Sequence, residues 1–558
     1  MVRKIFGFLY KKTETLNQAA LLLGLFAFLS QVLAFLRDRL LAHIFGASSE
    51  LDIYYAAFRV PDFIFVTVAS VVSLSVLIPF IIEKESEGVE KLLKFIDNIF
   101  SFFSILIVTV SGLAFFLMPW ISDLLFKGLS TEALNEVVFI SRILLLSPII
   151  LGFSNLFGSL TQAYSRFTIY ALAPILYNAG IIIGIIFLAE KMGVVGVAIG
   201  VVLGASLHAL VQVPFVIASG LFPRPSLKLD FSSIRKVVRI SLPRTLTLSM
   251  TSVSTIFLVS MASLMSVGSI SIFSFAINLQ SVPLSIIGVS YSLAAFPTLS
   301  RSFRENNIKG FKEQMASTAR LIIFWSLPLT ALFVILRAQI VRVILGSGQF
   351  DWNDTRLTAA TVAVFALSSM FQCLLLLFMR GFYSAGFTKK PFFINLFSAI
   401  IMVVGAWGLV KFFYASESFH YFVSAILKVE DLPDTVVLML PLAFSIGTIT
   451  NGLLHWVSFE REFRGFSRGV VRTLFHCLGA SVIMGAIAYL GLNIFALFID
   501  TDTLIGIFLQ GALAGILGIL SGVIVLALLK NRELSLIWSA IHQRFWKTEV
   551  IATDPEIV

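Results

Sequence analysis

The chain has 558 residues, 58% of them hydrophobic and 13% charged, with a mean hydropathy of +0.96, and this balance excludes a soluble globular fold. A net charge of +10 would suit nucleic acid in a soluble protein, but here the basic residues fall in short loops between apolar runs, where they set membrane orientation; nucleic-acid binding is a poor reading. Cys373 and Cys477 both sit inside apolar runs, without the number or spacing for a metal site or a disulfide framework, and read as packing residues.

The basic opening segment, Met1 to Lys12, leads into an apolar run too long for a signal-peptide core, so it reads as retained. Runs long enough to cross a bilayer follow near residues 16–44, 51–82, 97–120, 137–163, 167–189 and 193–218. A second set lies near 238–265, 269–298, 318–345, 357–385, 391–414 and 435–459, and a final pair near 470–499 and 503–529. The reading is an all-α polytopic membrane protein of about 14 transmembrane helices. Every second loop is basic, for example around Lys84, Lys91 and Lys94, then Arg235, Lys236 and Arg239, then Arg461, Arg464 and Arg468. The opposite loops are acidic or nearly neutral, as with Asp351 and Asp354 or Asp500 and Asp502. Both termini are therefore expected on the cytoplasmic side of the membrane.

An internal repeat organises these spans. Pro174 and Asn178 recur as Pro391 and Asn395, Tyr164 as Tyr383 and Pro61 as Pro283, in one order and at nearly one offset of six spans. An even number of spans gives both copies one orientation, which makes the repeat parallel. The expected domains are a lobe over residues 1–222, a second six-helix lobe over 223–465, an extra helix pair over 466–530 and a cytoplasmic tail over 531–558. Two such lobes enclose a central cavity, and rocking one against the other gives alternating access.

An ionisable side chain at membrane depth costs roughly 2.5–3.5 kcal/mol on insertion scales, so each one marks a candidate substrate path. Gln31, Arg37, Asp38 and Arg39 lie along the first span, and Asp52, Arg59 and Asp62 along the second. Arg37 and Asp38 either line a polar vestibule, where a guanidinium meets phosphate oxygens two at a time, or form an interfacial ion pair that caps the helix. Arg244, next to Pro243 at the start of the seventh span, either faces the cavity or snorkels to the headgroups. His208 and His455, alone in apolar runs, read as packing residues. The chain has no Walker-type phosphate loop, no metal-spaced His and carboxylate cluster and no serine-nucleophile motif. It reads as a transporter, not an enzyme, with no cofactor; an ion, the membrane potential or substrate flow must drive it.

Arg37-Asp38, Ala42, Phe45-Gly46, Asp52, Ala57-Phe58 and Val60-Pro61, with Pro79 beyond, resemble the signature of the MurJ (MviN) family. Phe275-Ala276, Val282-Pro283, Phe296 to Ser300, Gly381 to Ser384 and Lys390-Pro391 are similar to the same family in order and spacing. The resemblance implies the multidrug/oligosaccharidyl-lipid/polysaccharide exporter fold of fourteen helices. It also implies the task of flipping lipid II, the undecaprenyl-pyrophosphate-linked peptidoglycan precursor, outward across the inner membrane. Arg37 would be the cavity arginine facing the pyrophosphate, Asp52 an essential acidic residue near the periplasmic end, and the last helix pair a groove for the lipid tail. The family usually has arginine where this chain has Gln31, Phe65 and Asn278, and an acidic residue then glycine where it has Ser70 and Val71. Either Arg59 and Arg244 restore the positive potential or the substrate differs from lipid II.

The substrate-binding candidates are thus Arg37, Asp38, Asp52, Arg59, Arg244, Gln31 and Asn278. The leading function is lipid II translocation from the cytoplasmic to the periplasmic leaflet, with a lipid-linked saccharide and the bilayer as partners. The competing functions are cation-coupled export of another lipid-linked saccharide or small solute, and a non-transporting scaffold that recruits cell-wall synthesis proteins.

Overall fold

In hydrocarbon every backbone N–H and C=O must be paired within the protein, and this chain meets that demand with helices. The computed structural model describes residues 16–69, 74–226 and 229–546, and among them there is no strand. The protein is an all-helical polytopic membrane protein. Eleven helices of the described residues are long and apolar enough to span a bilayer, and twelve if Trp352–Ala366 and Ser369–Ser384, bent by 42°, make one span. These twelve match the third to the fourteenth expected spans. The first two expected spans fall on Leu16–Phe45, which carries Arg37, Asp38 and Arg39, and on the helix Ser49–Ile64 with its π-helical continuation Phe65–Ala69 and the helix Leu74–Ser86; residues 70–73 lie outside the described residues. Ser70 and Val71 lie there too.

The chain divides into two compact units. One gathers residues up to Leu279 with Val341–Thr361 and Thr388–Gly447. Its core centres on Phe103, Ile107 and Met118 of the helix Val89–Leu125, packed with Leu156, Leu160 and Ile169. In the same unit the helices Phe167–Phe187 and Val194–Leu210 touch backbone to backbone: a Cβ on Gly180 would stand 2.3 Å from the Cα of Gly204, and one on Gly184 2.4 Å from that of Gly200. Small residues set this approach, as is general where lipid supplies no hydrophobic drive between helices.

The other unit gathers Gln280–Ile340, Val362–Phe387 and the residues from Thr448 on. Its core is aromatic: Phe459 lies 4.8 Å from Phe463, 5.0 Å from Phe466 and 5.7 Å from Phe378, ring centroid to centroid. Edge-on and tilted pairs of this kind add to area burial. Cys373 and Cys477 are free, buried thiols of this same core. His455 is also buried, with Nδ1 against the Asn451 carbonyl and Nε2 unpartnered; in the first unit His208 Nδ1 meets Ser154 Oγ at 2.6 Å.

Two pairs of sequence landmarks have matching local geometry. The Asn178 side chain donates to the Pro174 carbonyl at 3.2 Å and the Asn395 side chain to the Pro391 carbonyl at 2.8 Å. Each of Pro61 and Pro283 is followed by a short π-helical stretch, Phe65–Ala69 and Leu284–Val289. Widened turns of this type accompany functional sites and irregular hydrogen bonding.

Candidate functional site

The helix Ser49–Ile64 starts on a firm cap, Ser48 accepting from the Leu51 amide. From there Asp52, Tyr55, Arg59 and Asp62 recur every three or four residues and so share one face. The helix Ser269–Pro283 carries its own polar stripe of Ser271, Ser274 and Asn278, interrupted by Phe275. The two stripes meet in the first unit. Asp52 Oδ2 accepts from the Gly268 amide at 2.7 Å, and Oδ1 accepts from the Ser271 amide at 2.7 Å and hydroxyl at 2.6 Å. Its carboxylate thus closes the N-terminal turn of a neighbouring helix, where free amides and the helix dipole favour negative charge. One step along, the Tyr55 ring meets Phe275 edge-on at 5.7 Å, and Arg59 Nη2 donates to Ser274 Oγ at 2.7 Å. Arg59 Nε is buried without a hydrogen-bond partner, with Asp62 in electrostatic reach.

Arg37 and Asp38 form the centre. Arg37 donates to Asp38 Oδ1 from Nε at 2.9 Å and from Nη2 at 2.7 Å, and from Nη1 to Asn178 Oδ1 at 3.2 Å. Asp38 Oδ2 accepts from Asn278 Nδ2 at 3.3 Å. Asn178 is held in turn by the Ser30 hydroxyl, at 3.3 Å from its Nδ2. Asp38 is almost closed off from solvent while the Arg37 side chain keeps 21% exposure, so the cluster's positive end is its accessible end. With asparagines on both flanks the cluster carries one positive and one negative charge. Arg37 spends three of the five guanidinium N–H groups on Asp38 and Asn178, and one on each terminal nitrogen remains for an anion.

Beyond this cluster the chain is drawn together at a seam. Arg39 Nη1 donates to the Val343 carbonyl at 2.6 Å, the Gln349 amide to the His43 carbonyl at 3.0 Å, and the Ala47 amide to Asp354 Oδ2 at 3.2 Å. Two glycines make the approach possible. Gly46, at φ +62°, would place a Cβ 2.6 Å from the Gln349 carbonyl oxygen, and Gly268, at φ +89°, would place one 2.4 Å from that of Ala47. In the second unit, the helices Ile308–Ile335, Val471–Phe495 and Leu504–Leu528 border an apolar groove of about 640 Å³, lined by Phe324, Trp325, Met484, Val523 and Leu526 among others.

Of the residues expected from sequence, Arg37, Asp38 and Asn278 come together, and Asp52 and Arg59 line the adjoining stripe. Gln31 is half-buried on the same helix as Arg37, and among the described residues no hydrogen bond joins it to the cluster. The side chain of Arg244 lies outside the described residues, although its backbone continues the helix Phe231–Ala262. Phe65 packs against the first unit's core. Sequence reading missed Ser30, Ser271 and Ser274 as partners, and took Asn178 only as a repeat landmark. The Pro-x-x-x-Asn spacing was the available signal for Asn178; serines in apolar helices offer none.

The family model for lipid II flippase MurJ matches residues 41–509. A probable lipid II flippase MurJ of Buchnera aphidicola subsp. Baizongia pistaciae is 25% identical over 398 residues, covering 70% of this chain and 77% of the relative. A lipid II flippase MurJ of Burkholderia cenocepacia is 23% identical over 385 residues, 67% of this chain and 75% of that one. Among solved structures, a lipid II flippase MurJ in an inward closed conformation superposes with a TM-score of 0.70 at 22% identity, over 94% of this chain and 99% of that one. An inward-facing multidrug resistance MATE family transporter of the MOP superfamily gives 0.63 at 15% identity, over 79% and 96%. The fold is the one these two transporters share.

Proposed function

Since the chain belongs to the MurJ family of lipid II flippases, transporters of the MOP superfamily and not enzymes, we propose that it flips a lipid-linked, pyrophosphate-bearing cell-wall precursor, lipid II, from the cytoplasmic to the periplasmic leaflet. The observation that carries this reading is the Arg37 guanidinium, partly exposed and held by Asp38 and Asn178 through bonds that phosphate oxygens can replace. On this reading Arg37, Asp38, Asn278 and Arg59 form the headgroup site, with Gln31 and Arg244 at its margins. Asp52 tethers the seam by binding the amides of Gly268 and Ser271. The seam closes the periplasmic side, both termini face the cytoplasm, and the charge alternation of the loops supports that orientation. Residues 1–222 and 223–465 act as two six-helix lobes that rock about the site, with 466–530 as the extra pair, 531–558 as the cytoplasmic tail and fourteen spans in all. The apolar groove takes the lipid tail.

A second reading rests on a specific observation. Asn278 stands where the family usually has arginine, leaving the cluster neutral, and this favours another lipid-linked saccharide with fewer phosphate charges. Both readings are tested by depleting a cell of its own lipid II flippase and supplying this chain or its Arg37→Ala form. Rescue by the parent chain, lost with Arg37→Ala at equal membrane levels, is the expected result. Insertion without rescue sinks lipid II as substrate and leaves the second reading.

A further inference from the structure

Away from the Arg37 cluster, the second unit carries a basic cavity that the transport reading does not use. The start of the helix Ile308–Ile335, the turn Ser467–Gly469 and the start of the helix Arg532–Trp546 enclose an open cavity of about 710 Å³. Four basic side chains line it, Lys309, Lys312, Arg320 and Arg532, against one acidic one, Glu313. Arg320 is built into the wall: its Nε donates to Glu533 Oε1 at 2.7 Å and its Nη1 to the Gly469 carbonyl at 3.1 Å. Glu533, 2% exposed, also accepts from the Thr473 hydroxyl at 3.0 Å. This buried pair ties three chain segments together and cancels its own charge. The excess positive charge belongs to the others: Lys312 spends one donor on the neutral Arg464 carbonyl at 3.1 Å, and Lys309 and Arg532 are exposed with no ion-pair partner among the described residues.

The position of the cavity selects the kind of anion. Arg320 is one helical turn from Phe324, which with Trp325 and Leu526 lines the apolar groove, so the basic lining ends where the apolar one begins. The helix that Arg532 opens turns Leu536 and Trp538 outward at 52% and 69% exposure, in the manner of a segment lying in the headgroup layer. Basic pockets between helices at that depth suit lipid phosphates. We propose that this cavity binds the phosphate of an anionic phospholipid, with Lys309 and Arg532 on its oxygens and the Arg320–Glu533 pair holding the walls. The site is separate from the Arg37 cluster, and its occupant need not be flipped.

The test is lipid retention by the full chain, extracted from vesicles of phosphatidylcholine doped with phosphatidylglycerol and read by native mass spectrometry. The parent chain should keep phosphatidylglycerol in preference to phosphatidylcholine. Lys309→Gln with Arg532→Gln should lower that retention at least fivefold, while Lys309→Arg with Arg532→Lys keeps it. Arg235→Gln with Arg239→Gln, which removes two exposed charges from the other unit, should leave it unchanged. Equal retention by the Lys309→Gln, Arg532→Gln chain overturns the proposal, as does equal retention of the two lipids or an equal loss in the Arg235→Gln, Arg239→Gln chain. Displacement of the lipid by millimolar inorganic phosphate would also overturn it, in favour of a free-anion site. No transport is measured, so failure here and failure of the flippase reading are distinguishable.

Discussion

Asp38 and Asp52 are each 3% exposed, sit on consecutive helices of the same unit, and keep their charge buried by different means. Asp38 is balanced by a side chain, Arg37, and steadied by an amide, Asn278. Asp52 has no cation on it; the backbone of Gly268 and Ser271 and one hydroxyl satisfy it. A side-chain pair can exchange partners with a substrate, whereas a carboxylate bound by backbone amides can let go only if the chain itself moves. The first arrangement suits a binding site and the second a latch.

That contrast can be broken by mutation, and the largest effect falls on the latch. Asp52→Ala leaves two amides at a helix start without their acceptor and removes charge-assisted bonds, so it should cost about 3 kcal/mol or more, read as a lowered thermal midpoint of the detergent-solubilised protein. Ser271→Ala, which keeps both amide bonds, should cost about 1 kcal/mol. If Asp52→Ala were as mild as Ser271→Ala, the latch would be disproved.

Next in size is the pair. Arg37→Ala strands Asp38 with only Asn278 and should cost about 2 kcal/mol, below the usual figure for a broken buried pair because Arg37 is partly exposed. Arg37→Ala with Asp38→Ala should regain about 1 kcal/mol or more of that loss as coupling energy in a double-mutant cycle. Additive losses would mean that the two charges do not act as a pair. No second side-chain deletion can rescue Asp52→Ala in this way, since its main partners are amides.

Asn278→Arg sharpens the comparison from the other side. A second guanidinium beside Asp38 turns the neutral cluster positive, and the change in stability should stay within about 1 kcal/mol because Asp38 gains a stronger partner. Binding of a pyrophosphate-bearing lipid should tighten several-fold in a flotation assay; unchanged binding would remove this cluster from headgroup recognition.

The smallest effect belongs to an exposed pair. Arg356 grips Asp431 with both terminal nitrogens, at 2.7 and 2.5 Å, and this holds the Asp431 carboxyl down at about 2. A depressed folded-state pKa contributes stability above the unfolded carboxylate range and loses it as pH falls through about 2. Arg356→Gln should therefore lower the thermal midpoint at neutral pH, but only slightly, since solvent screens the pair. A large drop would show that the bridge holds more than loop ends.

Much of this was legible in the chain. Hydropathy gave the helical membrane fold because a bilayer admits few other structures, and Arg37, Asp38, Asp52 and Arg59 stood out because charge in lipid is expensive. The roles of Asp38 and Asp52 were not legible. Arg37 finds Asn178 across 141 positions, Asp52 finds Gly268 across 216 and Asp38 finds Asn278 across 240, and no local pattern records such pairings. Arg320 and Glu533, 213 positions apart, were likewise invisible as a pair. The sequence by itself determined which segments enter the membrane and which charges enter with them, since transfer free energy is a local property of each segment. Only the tertiary structure decided whether a buried carboxylate faces a guanidinium it can exchange or a helix end it must hold, because that depends on which distant helices pack together.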